Sequence, residues 1–272
     1  MDISVSIVNY YSQKVIYRCL ESLRQTNWHG LEHEIIIVDN SHETDLAAKI
    51  AKEWPEVRYI ANSNTGYGAG NNLALRQATG KYFLVMNPDT AVAPDTIKRL
   101  YDFMEAHPQV GMVGPRQRNL DGSRQASCYR WHTLATPFCR RWPWLSRYRW
   151  VRRELRRFLL EDVDLERTMP VDWLLGSFLL IRAAAMRQVG YFDERYKLYF
   201  EDTDLSRQMW YHGWQVVYYP GTEVLHNHQR ASAQAAWYKV LNNRVGRQHT
   251  LSWFKYLLKW GLIAKSNIPR NQ

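Results

Sequence analysis

The residues best placed to do chemistry are carboxylates that end apolar runs. Tyr82 to Met86 is continuously hydrophobic and is followed by Asn87, Pro88 and Asp89. Such a run predicts a buried strand, and Pro88 stops it because proline cannot donate to a sheet ladder. Asp89 is then presented at the carboxyl end of a core strand, the edge where open α/β sheets bind ligands. A hard divalent ion, Mg²⁺ or Mn²⁺, prefers oxygen ligands and needs only one or two protein groups when substrate phosphates complete its shell. Asp89 is therefore the metal candidate. His226 follows a later apolar run and could add a nitrogen ligand, which would favour Mn²⁺.

Far downstream, Tyr199 and Phe200 precede Glu201, Asp202 and Asp204. Acidic residues stabilise a helix N-terminus, which could account for one of the three. Carboxylates crowded among aromatics suit proton transfer better. Two separated acidic sites fit two tasks, holding a metal and taking a proton. Asp39 ends another β-branched run, and a carboxylate there can accept the imide N–H of uracil or thymine; turn formation or capping is its ordinary alternative. Between these lies a loop, Asn62 to Asn72, rich in glycine and asparagine. Glycines allow close backbone approach to a ligand, and a following helix N-terminus favours phosphate. The spacing is neither a P-loop nor a dinucleotide fingerprint.

These residues need elements to carry them. Strands are expected at Ser4–Asn9, Glu34–Asn40, Val57–Ile60 and Tyr82–Met86. Helices are expected at Lys14–Arg24, Leu46–Glu53, Gly70–Ala78 and Asp95–Ala106, with Val15, Cys19, Leu20 and Leu23 on one face of the first. The alternation predicts a parallel sheet covered by helices on both faces. After Gly114 the pattern changes. Trp131 to Arg157 is aromatic and arginine-rich and reads as a loop and basic helix at the surface. Val171 to Arg182 reads as a strand, Asp202 to His212 as a helix stopped by Gly213, Trp214 to Tyr219 as a strand, and Ala233 to Ser266 as a helical tail.

Net charge is +10 over 272 residues, with 12 Trp and 17 Tyr, so an anionic partner is expected. Cys19, Cys128 and Cys139 form no CxxC pair, which argues against a zinc site or disulfide framework and fits a reducing compartment. The start of the chain reads as a strand rather than a signal peptide, and no apolar run is long enough to cross a bilayer. Membrane contact would be peripheral.

With these motifs in order, the chain resembles glycosyltransferase family 2, the inverting GT-A sugar transferases, and within it the bacterial rhamnosyltransferases of cell-envelope polysaccharide assembly. The likeness rests on Val5–Tyr10, Ile37–Ser41, Asn64–Asn71, Asn87–Asp89, Gly176–Arg182, and Phe192–Glu194 through Glu201–Leu205, and covers roughly residues 3–230. It implies a GT-A (Rossmann-like) α/β fold over 1–230, with a nucleotide-sugar half at 1–114, an acceptor and catalytic half at 115–230, and a C-terminal helical, membrane-proximal extension at 231–272. It implies donor contacts from Asn9, Tyr10, Asp39, Asn64, Gly66, Asn71, Asn87 and Asp89, and a metal held by Asp89 and His226. Asn87 and Asp89 stand where the family carries a DXD motif, with only the last Asp retained. Asp202 matches the general base, Glu201 could orient the acceptor, and Asp172 and Trp173 fall near the acceptor site.

The reaction so implied is inverting transfer of L-rhamnose from dTDP-L-rhamnose to a polyprenyl-diphosphate-linked sugar, such as GlcNAc-diphospho-undecaprenol, with UDP-sugars as the alternative donors. Trp142, Trp144 and Trp150 among arginines suit an anionic membrane surface, here the inner face of the cell membrane, approached from the cytoplasm. A basic nucleic-acid-binding protein is the competing class. Carboxylates at the strand ends would repel phosphate, and no nucleic-acid motif is present, so no nucleic-acid partner is expected. A catalytically dead scaffold is a third reading, opposed by the intact Asp39, Asp89 and Asp202.

Overall fold

In the computed structural model, residues 1–41, 44–227, 244–261 and 265–268 are described. The elements run β1 (Ile3–Asn9), α1 (Gln13–Arg24), β2 (His33–Asp39), α2 (Thr44–Glu53), β3 (Val57–Ala61), α3 (Tyr67–Leu75), β4 (Tyr82–Met86), β5 (Thr90–Val92), α4 (Thr96–Ala106) and β6 (Val110–Arg118). Then follow β7 (Arg124–Gln125), β8 (Cys128–Tyr129), α5 (Ala135–Arg141), a 3-10 turn (Pro143–Arg147), α6 (Arg149–Phe158), β9 (Met169–Pro170), β10 (Trp173–Leu174), β11 (Phe178–Arg182), α7 (Ala183–Val189), α8 (Glu201–Tyr211), β12 (Gln215–His226) and α9 (Arg244–Trp260).

The main sheet has the order β3-β2-β1-β4-β11-β6-β12-β5. β1 pairs in parallel with β2 and β4, β2 with β3, and β6 with β12. β11 is antiparallel to both β4 and β6, and β5 is antiparallel to β12. Thus β3, β2, β1, β4, β6 and β12 all point one way, and their carboxyl ends share one edge. β1 and β4 are buried along their whole length, as strands covered on both faces must be. Val5, Ile7 and Leu84 face one core cluster, while Val8, Phe83 and Val85 face the other. Alternation along each strand produces this division.

Several boundaries differ from expectation. α1 buries Ile16 with Cys19, Leu20 and Leu23, an i, i+3, i+4, i+7 stripe, so Ile16 takes the place expected of Val15. α3 begins at Tyr67, earlier than expected, because Gly66 at φ +116° supplies the break. The Val171–Arg182 run is two strands separated by Leu175–Ser177. Gly114, expected at the boundary between two halves, lies inside β6, and β11 is inserted between β4 and β6, so one sheet spans both halves. Much of the Ala233–Ser266 tail lies outside the described residues. The described part, α9, packs on the body of the protein through Tyr256, which is buried with Tyr196 and Phe200.

The segment from Trp131 to Arg157 is only partly the surface loop and helix expected. Trp131, Cys139 and Val151 are buried, whereas Arg149, Trp150, Arg152, Arg153 and Arg156 are exposed on α6. No helix among the described residues is long and apolar enough to cross a membrane.

Candidate active site

Because β12 runs parallel to β4, His226 at its end returns to the edge where Asp89 follows β4. The two side chains meet there, with His226 Nε2 3.2 Å from Asp89 Oδ1. Two donors each about 2.1 Å from one ion and at right angles lie about 3.0 Å apart, so this spacing fits a pair of adjacent metal ligands. Gln125 Oε1 lies 3.1 Å from His226 Nδ1. An amide oxygen only accepts, so Nδ1 is the donor of this bond, and in the neutral ring Nε2 is then the atom with a lone pair to give a metal beside Asp89. No cluster of three or more His, Cys, Asp or Glu with ligand geometry occurs among the described residues. The pair would therefore rely on substrate oxygens or water to complete a shell, as hard cations readily do.

The second acidic site approaches the same edge through backbone bonds. The Asn87 N–H donates to the Ser177 carbonyl at 2.9 Å, fastening the start of the Asn87–Asp89 turn to the loop before β11. One residue earlier, the Gly176 N–H donates to Asp202 Oδ2 at 3.0 Å. The Tyr67 hydroxyl donates to the Gly176 carbonyl at 2.7 Å. Burial raises the Tyr67 phenol, and so do the charges of Glu201, Asp202 and Asp89. The Gly176–Ser177 backbone thus bonds to Asp202, to Tyr67 and to Asn87, and ties the two acidic sites to one loop. Gly176 is needed for this approach, since a Cβ there would lie 3.1 Å from Asp202 Cβ.

Glu201 and Asp202 open α8. Tyr199 and Phe200 before them have φ of +65° and +69°, a left-handed conformation that costs non-glycine residues about 1–3 kcal/mol each. The turn aims both carboxylates back at the sheet edge. Glu201 Oε2 is buried with no hydrogen-bond partner among the described residues. Burial, then the neighbouring Asp202 charge, raises the Glu201 carboxyl well above its ordinary value. Burial also raises Asp202, and the Gly176 and Thr203 N–H groups partly oppose the rise. Glu201 is accordingly the one that more readily keeps a proton, while Asp202 is a base stronger than an ordinary aspartate.

The expected donor contacts divide. Tyr10 is half exposed beyond β1, and Asn64 is exposed on its loop. Asn87 is half-buried at the edge. Asp39 is fully buried, and its Oδ1 accepts from Asn9 Nδ2 at 2.8 Å and from the Ser41 N–H and hydroxyl at 2.9 and 2.5 Å. Its Oδ2 accepts from the Tyr59 hydroxyl at 2.5 Å. Burial alone would raise Asp39; the bonds from Ser41, Tyr59 and Asn9 outweigh it and hold the carboxyl below its usual range. A base N–H could reach Oδ2 by displacing the Tyr59 hydroxyl. Asn9 and Asn71 are fully buried and engaged in the fold: Asn9 ties β1 to β2, and Asn71 accepts from the Ser6 hydroxyl at 2.8 Å and donates to the Tyr67 carbonyl at 3.1 Å. In this structure they shape the donor edge from behind rather than line it. Gly66 admits the Lys197 carbonyl, which would lie 2.6 Å from any Cβ there.

The expected acceptor residues turn out to be internal. Asp172 is fully buried and accepts from the Trp131 N–H, the Ser266 hydroxyl and the Asn267 N–H at 2.9, 2.8 and 2.6 Å. Trp173 stacks on Tyr129 at 4.2 Å and donates to the Arg130 carbonyl. Both are engaged in packing, and Asp172 also tethers the C-terminal segment through Ser266 and Asn267. Tyr59, Gln125 and the roles of Tyr67 and Gly176 were not foreseen. The last two lie in motifs whose glycines and aromatics were visible, but their partners come from distant segments.

Residues 4–163 match the family model for glycosyl transferase family 2, and residues 92–270 match the model described as Glycosyltransferase (GlcNAc). The chain belongs to glycosyltransferase family 2. It is 32% identical over 84% of its length, and over 79% of the relative's, to the N-acetylglucosaminyl-diphospho-decaprenol L-rhamnosyltransferase of Mycobacterium tuberculosis. It is 24% identical to the rhamnosyltransferase WbbL of Escherichia coli over 98% of this chain and 96% of that one. Among solved structures, the mannosyltransferase of Pyrobaculum calidifontis superposes with a TM-score of 0.61 at 16% identity, covering 93% of this chain and 64% of that one. Residues 1–349 of TarS from Staphylococcus aureus give 0.55 at 15% identity, covering 96% and 72%. These two support the GT-A fold. The family 2 chain is a glycosyltransferase of bacterial rhamnosyltransferase type.

Proposed function

We propose that this family 2 transferase moves L-rhamnose from dTDP-L-rhamnose to a polyprenyl-diphosphate-linked N-acetylglucosamine, with inversion at the anomeric carbon. The observation that carries the reading is the approach of the Asp89–His226 pair and the Glu201–Asp202 pair to one sheet edge, where the Gly176–Ser177 backbone bonds both Asp202 and the turn that carries Asp89. The choice of sugar and acceptor is supported by the 32% identical mycobacterial rhamnosyltransferase.

In this reading Asp202 accepts the proton of the acceptor hydroxyl as that oxygen attacks the anomeric carbon from the face opposite the leaving nucleotide. Its raised affinity for a proton suits the task. Glu201 holds its own proton and donates a hydrogen bond to the acceptor sugar. The Gly176 N–H keeps Asp202 oriented, and Tyr67 fixes Gly176 in turn. Asp89 and His226 would hold a divalent cation, Mg²⁺ or Mn²⁺, which when bound supplies positive charge beside the departing diphosphate. Tyr10 and Asn64 lie free to contact the donor, and Asp39 reads the thymine imide. Residues 1–114 carry mainly the donor side and 115–230 the acceptor side, and within 231–272 the helix α9 packs beside the latter.

The enzyme works at the cytoplasmic face of the cell membrane. Exposed Arg149, Arg152, Arg153 and Arg156 beside the half-exposed Trp144 and Trp150 give the amphipathic, cationic surface that anionic lipid attracts. The deciding experiment compares transfer from dTDP-L-rhamnose, UDP-glucose, UDP-galactose and UDP-N-acetylglucosamine to GlcNAc-diphospho-undecaprenol, with and without chelator. Turnover of a UDP-sugar in preference to dTDP-L-rhamnose would refute the donor assignment.

A further inference from the structure

Beside the carboxylates lies a second cluster that the reaction above leaves unused. Phe200, the residue before Glu201, is flanked by two imidazoles, with the His132 ring at 5.1 Å and the His249 ring at 5.5 Å. His132 also lies against Phe158 at 4.8 Å, and the Arg140 guanidinium sits over that same Phe158 ring at 5.2 Å. The cluster therefore draws its groups from three places: the strand-to-helix connection before α5, α5 itself, and α9. Arg140 is exposed and has no acidic partner among the described residues. Glu154 of α6 is occupied by Arg157, Thr133 and Thr136.

Electrostatics agree with the geometry. Burial, then Arg140, drives the His132 imidazole well below its usual value. Burial, then Arg140 and Arg141, pushes His249 down to about 4. The Arg140 guanidinium has no acidic partner among the described residues, and two imidazoles held neutral beside it each carry an N–H to donate. That is a receptor for a multiply charged oxyanion.

Its surroundings name the anion. On one side is Glu201, adjacent in sequence to Phe200. On the other is an apolar rim, where Phe138, two residues before Arg140 on α5, meets Trp253 of α9 edge-on at 6.4 Å and is itself half exposed. The order from rim to carboxylates is apolar, cationic, acidic. A sugar linked through diphosphate to a polyprenol has the matching order of lipid, anion and hydroxyl-bearing ring.

We propose that His132, Arg140 and His249 bind the diphosphate of the lipid-linked acceptor and thereby set its sugar against Glu201 and Asp202. The proposal deepens the functional reading above and rests on it for the identity of the sugar. The shared chemistry, phosphate on a lipid, could also come from a bilayer headgroup, and the test separates the two.

The full-length protein is titrated with farnesyl diphosphate, with farnesol, and with phosphatidylglycerol vesicles, for the wild type and for Arg140→Gln, Arg140→Lys and His249→Gln. Loss of a charge-assisted hydrogen bond predicts about ten- to a hundredfold weaker binding of farnesyl diphosphate to Arg140→Gln. Arg140→Lys should recover part of it, and vesicle binding should be unchanged. In turnover, the same variant should raise KM for a farnesyl-diphospho-GlcNAc acceptor by a similar factor, while octyl β-GlcNAc, which lacks the diphosphate, is used as by wild type. Equal losses on both acceptors, unaltered farnesyl diphosphate affinity, or a loss confined to vesicles would overturn the proposal. Selective farnesyl diphosphate binding in a protein that transfers a different sugar would uphold it and reject only the rhamnose assignment.

Discussion

Replacing Asp202 with asparagine is the most direct test of the site, and the structure sets its expected cost. Asp202 accepts two backbone N–H groups, that of Gly176 at Oδ2 and that of Thr203 at Oδ1, at 3.0 and 2.7 Å. Asparagine retains one accepting oxygen, so its NH₂ must face one of these donors. An unmet buried N–H costs about 1–3 kcal/mol. Against that, the variant no longer buries a carboxylate charge beside Glu201, a burden evident from the raised proton affinity of both groups. The two changes oppose each other, and stability should stay within about 2 kcal/mol of wild type. Activity has no such compensation. A positioned general base contributes about 10²–10⁴-fold, equivalent to about 2.7–5.4 kcal/mol of barrier.

The assay follows initial rates of nucleoside diphosphate release and of glycosylated lipid, together with a thermal melt. The expected result is a kcat lowered by two to four decades, with donor KM and melting temperature little altered. The acid limb of the wild-type kcat/KM profile should fall above the ordinary aspartate value of 3.8, since burial raises Asp202. A folded Asp202→Asn protein with kcat within tenfold of wild type would refute the assignment of the base.

Four further outcomes follow from the same geometry. Glu201→Gln should stabilise the fold at neutral pH: a carboxyl raised on folding is free of burial cost below its unfolded value of 4.5 and bears that cost as pH rises through it, so the gain in melting temperature should vanish in melts below pH 4.5. His226→Ala should raise the Mn²⁺ concentration giving half-maximal rate by about 10–100-fold, and Gln125→Leu should do so more weakly through the orientation of the ring, both read from metal titrations of a chelated enzyme. Gly176→Ala, whose Cβ must push Asp202 from 3.1 Å, should lower kcat by about tenfold without unfolding the protein in circular dichroism. Lys259→Met should cost about 3 kcal/mol in denaturant unfolding, because it leaves the buried Asp204 without its 2.8 Å cation.

The strand-and-helix order was legible because each central strand is a short apolar run closed by a polar stop, and each helix carries a 3.6-residue stripe. Asp89 and His226 were readable as candidates for the same reason, since both end such runs. Their meeting was not readable from local pattern, because it depends on β12 lying parallel to β4 with β11 reversed between them, a long-range arrangement. Asp172 misled for a related reason. A carboxylate beside an apolar run looks the same whether it faces a cleft or accepts Trp131, Ser266 and Asn267 from inside. Asn9 and Asn71 show the same ambiguity, as amides whose partners lie on other strands and helices. The left-handed turn at Tyr199 and Phe200 leaves no trace in residue type, since neither is glycine.

The acidic run of α8 was read as one cluster, and the helix divides it. Residues two apart on a helix point to nearly opposite sides. Asp202 therefore faces Gly176 and the sheet edge, while Asp204 faces α9, accepting from Lys259 Nζ at 2.8 Å and from Trp260 Nε1 at 2.6 Å. Arg207, one turn further on, donates to the Tyr256 hydroxyl and the Trp260 carbonyl. One short helix thus carries Asp202, the proposed base, on one side and anchors the C-terminal helix on the other. Ser252 fastens the same helix to the Leu198 carbonyl, just before the strained turn that aims Glu201. The described part of the extension therefore braces the turn that presents Glu201 and Asp202, and on the proposed reading an acceptor seated against α9 would stand in fixed register with Asp202.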